Sequence, residues 1–209
     1  MNFSEIKGSY DVIFSLGHNC LPADQLSRYM LRKIGGVLDW VESPILAGVS
    51  NLLRNRFSHY MELPNLSVTG INDQAGCYIV RDAAYYIFSH HDFPLSENTS
   101  EQLNSYPELR EKINRRVPRF METLKNTAKI LFIRTEATIH ETAELLTVLD
   151  SMVQGEFNLL VINHAPVPGI VETPWPFHNV CALQIPNVPD MFHDNDYIWR
   201  GLLNAFTLR

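Results

Sequence analysis

The sequence predicts an α/β fold: a mostly parallel core sheet flanked by helices, with a β-hairpin insertion around residues 63–93. Three observations carry this. Lys129–Arg134 (KILFIR) and Phe157–Asn163 (FNLLVIN) are apolar runs without alternation, as strands buried on both faces require. Between them Leu145, Leu146, Leu149, Met152 and Val153 recur at helical spacing, and such a strand–helix–strand unit implies a parallel pair with a right-handed crossover. From Leu63 to Phe93 the pattern changes to short β-rich pieces (LSVTG, CYIV, AYYIF) split by polar turns, the mark of hairpins.

Taken in order, Tyr10–Leu16 (YDVIFSL) is a short apolar strand closed by Gly17. Pro22 suits the first turn of a helix carrying Leu26, Tyr29, Met30 and Lys33, which Gly35-Gly36 should end. Ser43-Pro44 has the form of an N-cap followed by N1, ahead of the apolar face Ile45, Leu46, Val49, Leu52, Leu53 and Phe57. Residues 94–105 are polar and loop-like. Tyr106, Leu109, Ile113, Val117, Phe120, Met121 and Leu124 then give the strongest helix signal, with Pro118 expected to kink or split it. Thr138 and Glu141 stand at capping-box spacing before the helix that Gly155 closes. Val180–Ile185 reads as a further strand and Tyr197–Phe206 as a terminal helix. There is no internal repeat, and residues 1–209 read as a single α/β domain.

Composition narrows the function classes. The 209 residues hold 17 Lys and Arg against 23 Asp and Glu, a formal charge of −6, with 45% hydrophobic and 19% charged residues. That is a globular balance, and its acidity speaks against nucleic acid, whose binders carry basic surfaces. No run approaches the roughly 18 apolar residues of a membrane span, and the first residues lack a secretory pattern. Three scattered cysteines (Cys20, Cys77 and Cys181) build neither a disulfide framework nor a CxxC zinc site. HExxH and HxH spacings are absent too. The expectation is a cytoplasmic protein without metal or cofactor, acting on a small-molecule or peptide substrate.

In parallel sheets functional groups collect beyond the carboxyl ends of the strands. Here those ends carry Gly17-His18-Asn19-Cys20, Arg134-Thr135-Glu136 and Asn163-His164. Cys20, in a turn before a helix, is the candidate nucleophile, and N–H groups of that turn could form an oxyanion hole. Its base could be His91, beside Asp92, or His164; His18 is only two residues from Cys20. Asp92 or Asn163 would orient the imidazole. Arg134 would bind a substrate anion, with Glu136 alongside. Asp39-Trp40 reads as a pocket wall with an acidic contact. Lys112, Arg115, Arg116 and Arg119 read as a solvated basic face or, less simply, an anion site. Two short matches belong to the SGNH hydrolase pattern: Gly70-Ile-Asn72-Asp73 to GxND and Asp190-Met-Phe-His193 to DxxH. They carry little weight, because Gly70–Asp73 falls in a hairpin turn and the turn before Cys20 lacks GDS.

The ordered set FSLGHNC, LDW, FSHHDF, RRVPRF, LFIRTE, VINH and DNDYIW, running from the first strand to the terminal helix, resembles a bacterial family of unknown function labelled papain-like cysteine peptidases. The resemblance implies Cys20 as nucleophile, with His91-Asp92-Phe93 and Asn163-His164 supplying the histidine and its polar partners. Asp39-Trp40, Arg134 and Asp196 match further motif positions. The expected activity is a cysteine-dependent hydrolase. An acyltransferase would use the same Cys and His. The rival is a non-catalytic domain in which Asn19, Asp39, Arg134 and His164 bind a small polar ligand, a sugar or nucleotide.

Overall fold

The apolar run at the front of the chain divides in two. The computed structural model describes residues 1–209 and begins with helix α1 (Phe3–Ile6), strand β1 (Gly8–Tyr10) and strand β2 (Val12–Ser15). There follow α2 (Leu21–Arg28), β3 (Val41–Glu42), α3 (Leu46–Arg54), β4 (Leu66–Asn72), β5 (Cys77–Asp82), β6 (Ile87–Ser89) and α4 (Tyr106–Asn126). The second half holds β7 (Lys129–Thr135), α5 (Ile139–Met152), β8 (Glu156–Ala165), β9 (Val171–Thr173), β10 (Val180–Pro186), α6 (Asp196–Leu203) and β11 (Phe206–Leu208).

The core is a five-stranded sheet in the order β2-β7-β8-β10-β9. Its first four strands are parallel, and β9 closes the edge antiparallel to β10. Alternation along the strands feeds two cores. Ile13, Leu131, Ile133, Leu160, Ile162 and Leu183 pack with Leu21 and Leu26 of α2 and Ile198, Trp199 and Leu202 of α6. Phe14, Ile130, Phe132, Leu159 and Val161 pack with residues of α3, α4 and α5. Burial on both faces is why these strands read as unbroken apolar runs. The capping box forms as expected: Thr138 accepts from the Glu141 N–H and the Glu141 carboxylate reaches back to the Thr138 N–H. Leu145 and Leu149 of α5 are wholly buried, each contributing about 1.5–3 kcal/mol of transfer free energy.

The insertion between α2 and α4 is a separate antiparallel sheet, β3-β6-β5-β4. It contains the three strands expected from the sequence plus β3. It sits on α3, whose Gly48 passes so close to the strand turn that a Cβ there would meet the Tyr85 carbonyl oxygen at 2.2 Å.

Four elements depart from the sequence reading. α2 stops at Arg28, not at Gly35-Gly36. Met30 takes a left-handed conformation (φ 56°), and the Leu31 and Met30 N–H groups close on Leu26 and Ser27 carbonyls in a Schellman turn. Ser43 does not cap α3, which starts at Leu46 without a side-chain cap; its hydroxyl is engaged elsewhere, as described below. α4 runs unbroken through Pro118. The carbonyl that Pro118 leaves without a donor belongs to Asn114, and both residues are exposed, so water can satisfy it. The terminal helix ends at Leu203, because the residues after it pair in parallel with β1, Phe206 opposite Gly8. No helix is long and apolar enough to cross a membrane.

Candidate active site

Cys20 stands at the N-cap of α2, where the chain leaves β2. Gly17 (φ 82°) and His18 (φ 72°), both left-handed, make the turn before it. Gly17 is required twice over: its φ suits glycine, and a Cβ would lie 2.7 Å from the Ser43 hydroxyl. Ser43 is the anchor of this turn. Its hydroxyl accepts from the His18 N–H (3.1 Å), and its own N–H donates to the His18 carbonyl (2.8 Å). Arg134, at the end of β7, donates to the Ser43 hydroxyl (2.7 Å), the Ser43 carbonyl (2.7 Å) and the Leu16 carbonyl (2.9 Å).

His91 arrives from the other sheet. It follows β6, which pairs with β3 so that Val41 lies opposite Ser89 and Glu42 opposite Phe88. That register brings Trp40 and Glu42 beside His90 and His91. The Cys20 Sγ lies 3.6 Å from His91 Nε2. Trp40 meets the His91 ring edge-on, centroids 6.3 Å apart, and His90 Nε2 lies 2.7 Å from the Glu42 carboxylate. Cys20 thus comes from the parallel sheet's carboxyl edge and His91 from the antiparallel insertion.

Helix α4 supports both. Lys112 pairs with Asp92, next to His91. Arg116 and Arg119 donate to the Gly36 and Gly35 carbonyls (3.2 and 2.7 Å). The Gly36 N–H and Arg32 Nε in turn donate to the buried Asp39 carboxylate (2.7 and 2.6 Å), and the Arg32 guanidinium lies over Trp40. Of the cluster Lys112, Arg115, Arg116 and Arg119, three residues are therefore tethers of the site loops, and Arg115 is left on the exposed face.

Cys20 and His91 open into a cleft of about 720 Å³, also lined by Asn19, Trp40, Glu42 and His90. Its electrostatics are acidic. Burial pushes the Cys20 thiol up to about 11, reinforced by the Glu42, Asp24 and Asp39 carboxylates. Burial, with basic His90 beside it, lowers the proton affinity of His91. Both shifts favour a neutral thiol facing a neutral imidazole over a thiolate–imidazolium pair.

Of the expected site residues, Asn19, Cys20, Trp40 and His91 line this cleft, and Asp39 sits behind Trp40. The others do different work. Arg134 is not placed to meet a substrate anion: it is 0% exposed, and both terminal nitrogens of its guanidinium donate to Ser43 and Leu16. Asp92 does not orient His91, because its carboxylate accepts from the Ser89 hydroxyl (2.6 Å) and pairs with Lys112. His164 is not the partner of Cys20. Its Nδ1 lies 2.5 Å from the Glu136 carboxylate, and its side chain is 9% exposed. Asn163 orients no imidazole and meets no substrate, since both ends of its amide bond the Ala137 backbone (2.9 and 2.8 Å). Asp196 accepts from Gln25 (2.8 Å) and Arg28 (2.9 Å), joining α2 to α6. The residues of the two discounted matches, Asn72, Asp190 and His193, do face the cleft. No group of three or more His, Cys, Asp or Glu residues is placed to hold a metal ion.

Comparison with known proteins finds a family and a curated relative. The chain is 26% identical over 179 residues to the uncharacterized protein R408 of Acanthamoeba polyphaga mimivirus, covering 76% of this chain and 80% of that protein. That relative is viral, so the bacterial origin expected from the resemblance is not confirmed. No solved structure matches the chain. A family described as "Putative papain-like cysteine peptidase" matches residues 11–166, which span the Cys20 turn, the antiparallel insertion with His91 and the parallel unit as far as β8; the chain belongs to that family.

Proposed function

We propose that the protein is a cysteine-dependent hydrolase of amide or thioester bonds, with Cys20 as nucleophile and His91 as base. The observation that carries this is the 3.6 Å approach of Cys20 Sγ to His91 Nε2 at the mouth of an open cleft. The two come from different sheets, 71 residues apart in sequence, and a packing accident rarely aligns a thiol with an imidazole nitrogen at a helix N-terminus.

The neutral resting pair sets the mechanism. His91, as free base, takes the thiol proton while sulfur attacks the acyl carbon, then returns it to the leaving group. The oxyanion would meet the Cys20 N–H, which has no partner in the chain, and the Asn19 side-chain amide. That amide now donates only to the weak acceptor Met191 Sδ (3.1 Å) and is available to a stronger one. Trp40 walls the substrate side. The cationic groups of the cleft are already committed: Arg28 bridges Asp24 and Asp196. We therefore assign a neutral or cationic small-molecule or peptide substrate over an anionic one. Three free cysteines suit a reducing, cytoplasmic setting. Transfer of the acyl group to an amine or hydroxyl instead of water would use the same two residues.

The acidic field around Cys20 favours a second reading, in which the thiol only packs and the amide-rich cleft binds a sugar. A panel of amide, ester and thioester donors, read by intact mass on wild type and Cys20→Ser, separates them. The hydrolase reading expects an acyl adduct on wild type alone; a sugar-binding domain acquires none.

A further inference from the structure

The cleft contains a second histidine–carboxylate pair that the Cys20–His91 scheme leaves unused. His193 Nδ1 lies 2.8 Å from an Asp190 carboxylate oxygen. Asp190 is itself fixed: it accepts from the Phe192 N–H (3.0 Å), and its N–H donates to Asp194 (3.1 Å). A carboxylate on Nδ1 assigns the proton there and leaves Nε2 as the acceptor, and the His193 side chain is 65% exposed. Asp190 and His193 line the same cleft as Cys20 and His91.

The loop carrying this pair is fastened to the nucleophile's own turn and helix. Asn19 Nδ2 donates to Met191 Sδ (3.1 Å), and Arg28 and Gln25 donate to the Phe192 carbonyl (3.3 and 3.5 Å). Arg28 also bridges Asp196 at the start of α6 (2.9 Å). The loop that carries His193 is thus tied to the turn and helix that carry Cys20. His91 lacks what His193 has: no carboxylate touches its ring, since Asp92 is held by Ser89 and Lys112. Once an acyl group caps the sulfur, His91 faces it on one side and the Trp40 ring on another.

Building on the nucleophile assignment, we propose that the two histidines divide the reaction, His91 serving the sulfur and His193, oriented by Asp190, activating the water that releases the acyl group. In acylation the Cys20 proton passes to His91 as the S–C bond forms, and His91 gives it to the leaving group. In deacylation a water O–H proton passes to His193 Nε2 as the water oxygen bonds to the thioester carbon. The C–S bond then breaks, the acid leaves, and the departing sulfur regains a proton from the His193 imidazolium. One water is consumed, and no redox partner is needed. Neither residue falls within the matched family segment, which ends at residue 166.

The test uses p-nitrophenyl acetate, with nitrophenolate release followed by stopped flow and the acetyl-enzyme by intact mass. Wild type should show a burst, then turnover. His193→Ala should keep the burst rate and amplitude, which also shows that the variant is folded, while the acetyl-enzyme decays about a hundredfold more slowly. Asp190→Asn should slow the same step about tenfold without touching the burst. A His193→Ala enzyme that sheds its acetyl group at the wild-type rate overturns the division of labour and leaves Cys20 as nucleophile intact. A wild type that never carries acetyl on Cys20 overturns the nucleophile assignment and this proposal with it.

Discussion

Alkylation of Cys20 as a function of pH reads the cleft's electrostatics directly. A thiol shifted from 9.0 to about 11 ionises, at pH 7, in about one molecule in ten thousand, a hundredfold fewer than an unshifted one. That hundredfold corresponds to about 2.7 kcal/mol against the thiolate, contributed first by burial and then by Glu42, Asp24 and Asp39. Iodoacetamide labelling, followed by intact mass, should therefore rise about tenfold per pH unit from about pH 7 with no plateau below about pH 10. Cys77 and Cys181, 5% and 1% exposed, label far more slowly and do not confuse the count. Glu42→Gln removes the carboxylate with the strongest effect of the three on Cys20 and should speed labelling severalfold at about pH 8, a partial effect because burial remains. A labelling rate already at its plateau near pH 6 would refute the reasoning: it would mean a resting thiolate–imidazolium pair, and a cleft whose field has the opposite sign.

Replacing Arg134 by Met should lower stability by about 3–5 kcal/mol in urea unfolding, because the buried Leu16 and Ser43 carbonyls lose their donors, at about 1–3 kcal/mol each, along with the Ser43 hydroxyl. Gly17→Ala should cost about 2 kcal/mol in the same assay, from a left-handed φ and a contact with the Ser43 hydroxyl, and should slow acylation of Cys20 at least tenfold by moving its turn. Glu136 bears on acid stability. Burial alone would raise its carboxyl, but hydrogen bonds from the His164 ring and N–H outweigh that and hold it below the usual range. A depressed carboxylate contributes stability that is complete above its ordinary value of about 4.3 and lost as pH falls through the lowered one. Glu136→Gln should flatten the fall in urea midpoint below about pH 4.

The central strands were legible because burial on both faces leaves a long apolar run, and α5 because its capping box is local. Cys20 could be singled out since a strand end, a turn and a helix start are all written within ten residues. The choice between His91 and His164 could not be made from the chain, because it depends on how the antiparallel insertion docks against the parallel sheet. Nor does residue type reveal whether a polar group is free. Arg134 and Asn163 stand where a ligand would be met, yet backbone carbonyls and N–H groups in the next loops consume them. The basic residues of α4 misled in the other direction: a row of arginines looks solvated until the Gly35-Gly36 carbonyls that receive them are placed. Asn72 and the Asp190–His193 pair did leave a short trace in sequence, and only the cleft shows that it converges on Cys20.

The most direct test of the Cys20–His91 pair is the rate at which an activated acyl donor modifies Cys20 at pH 7 in wild type and in His91→Ala. Removal of a base in near contact with the thiol should slow acylation by about a hundredfold or more while leaving the fold intact. Equal rates in the two proteins would contradict the pairing on which the functional account rests.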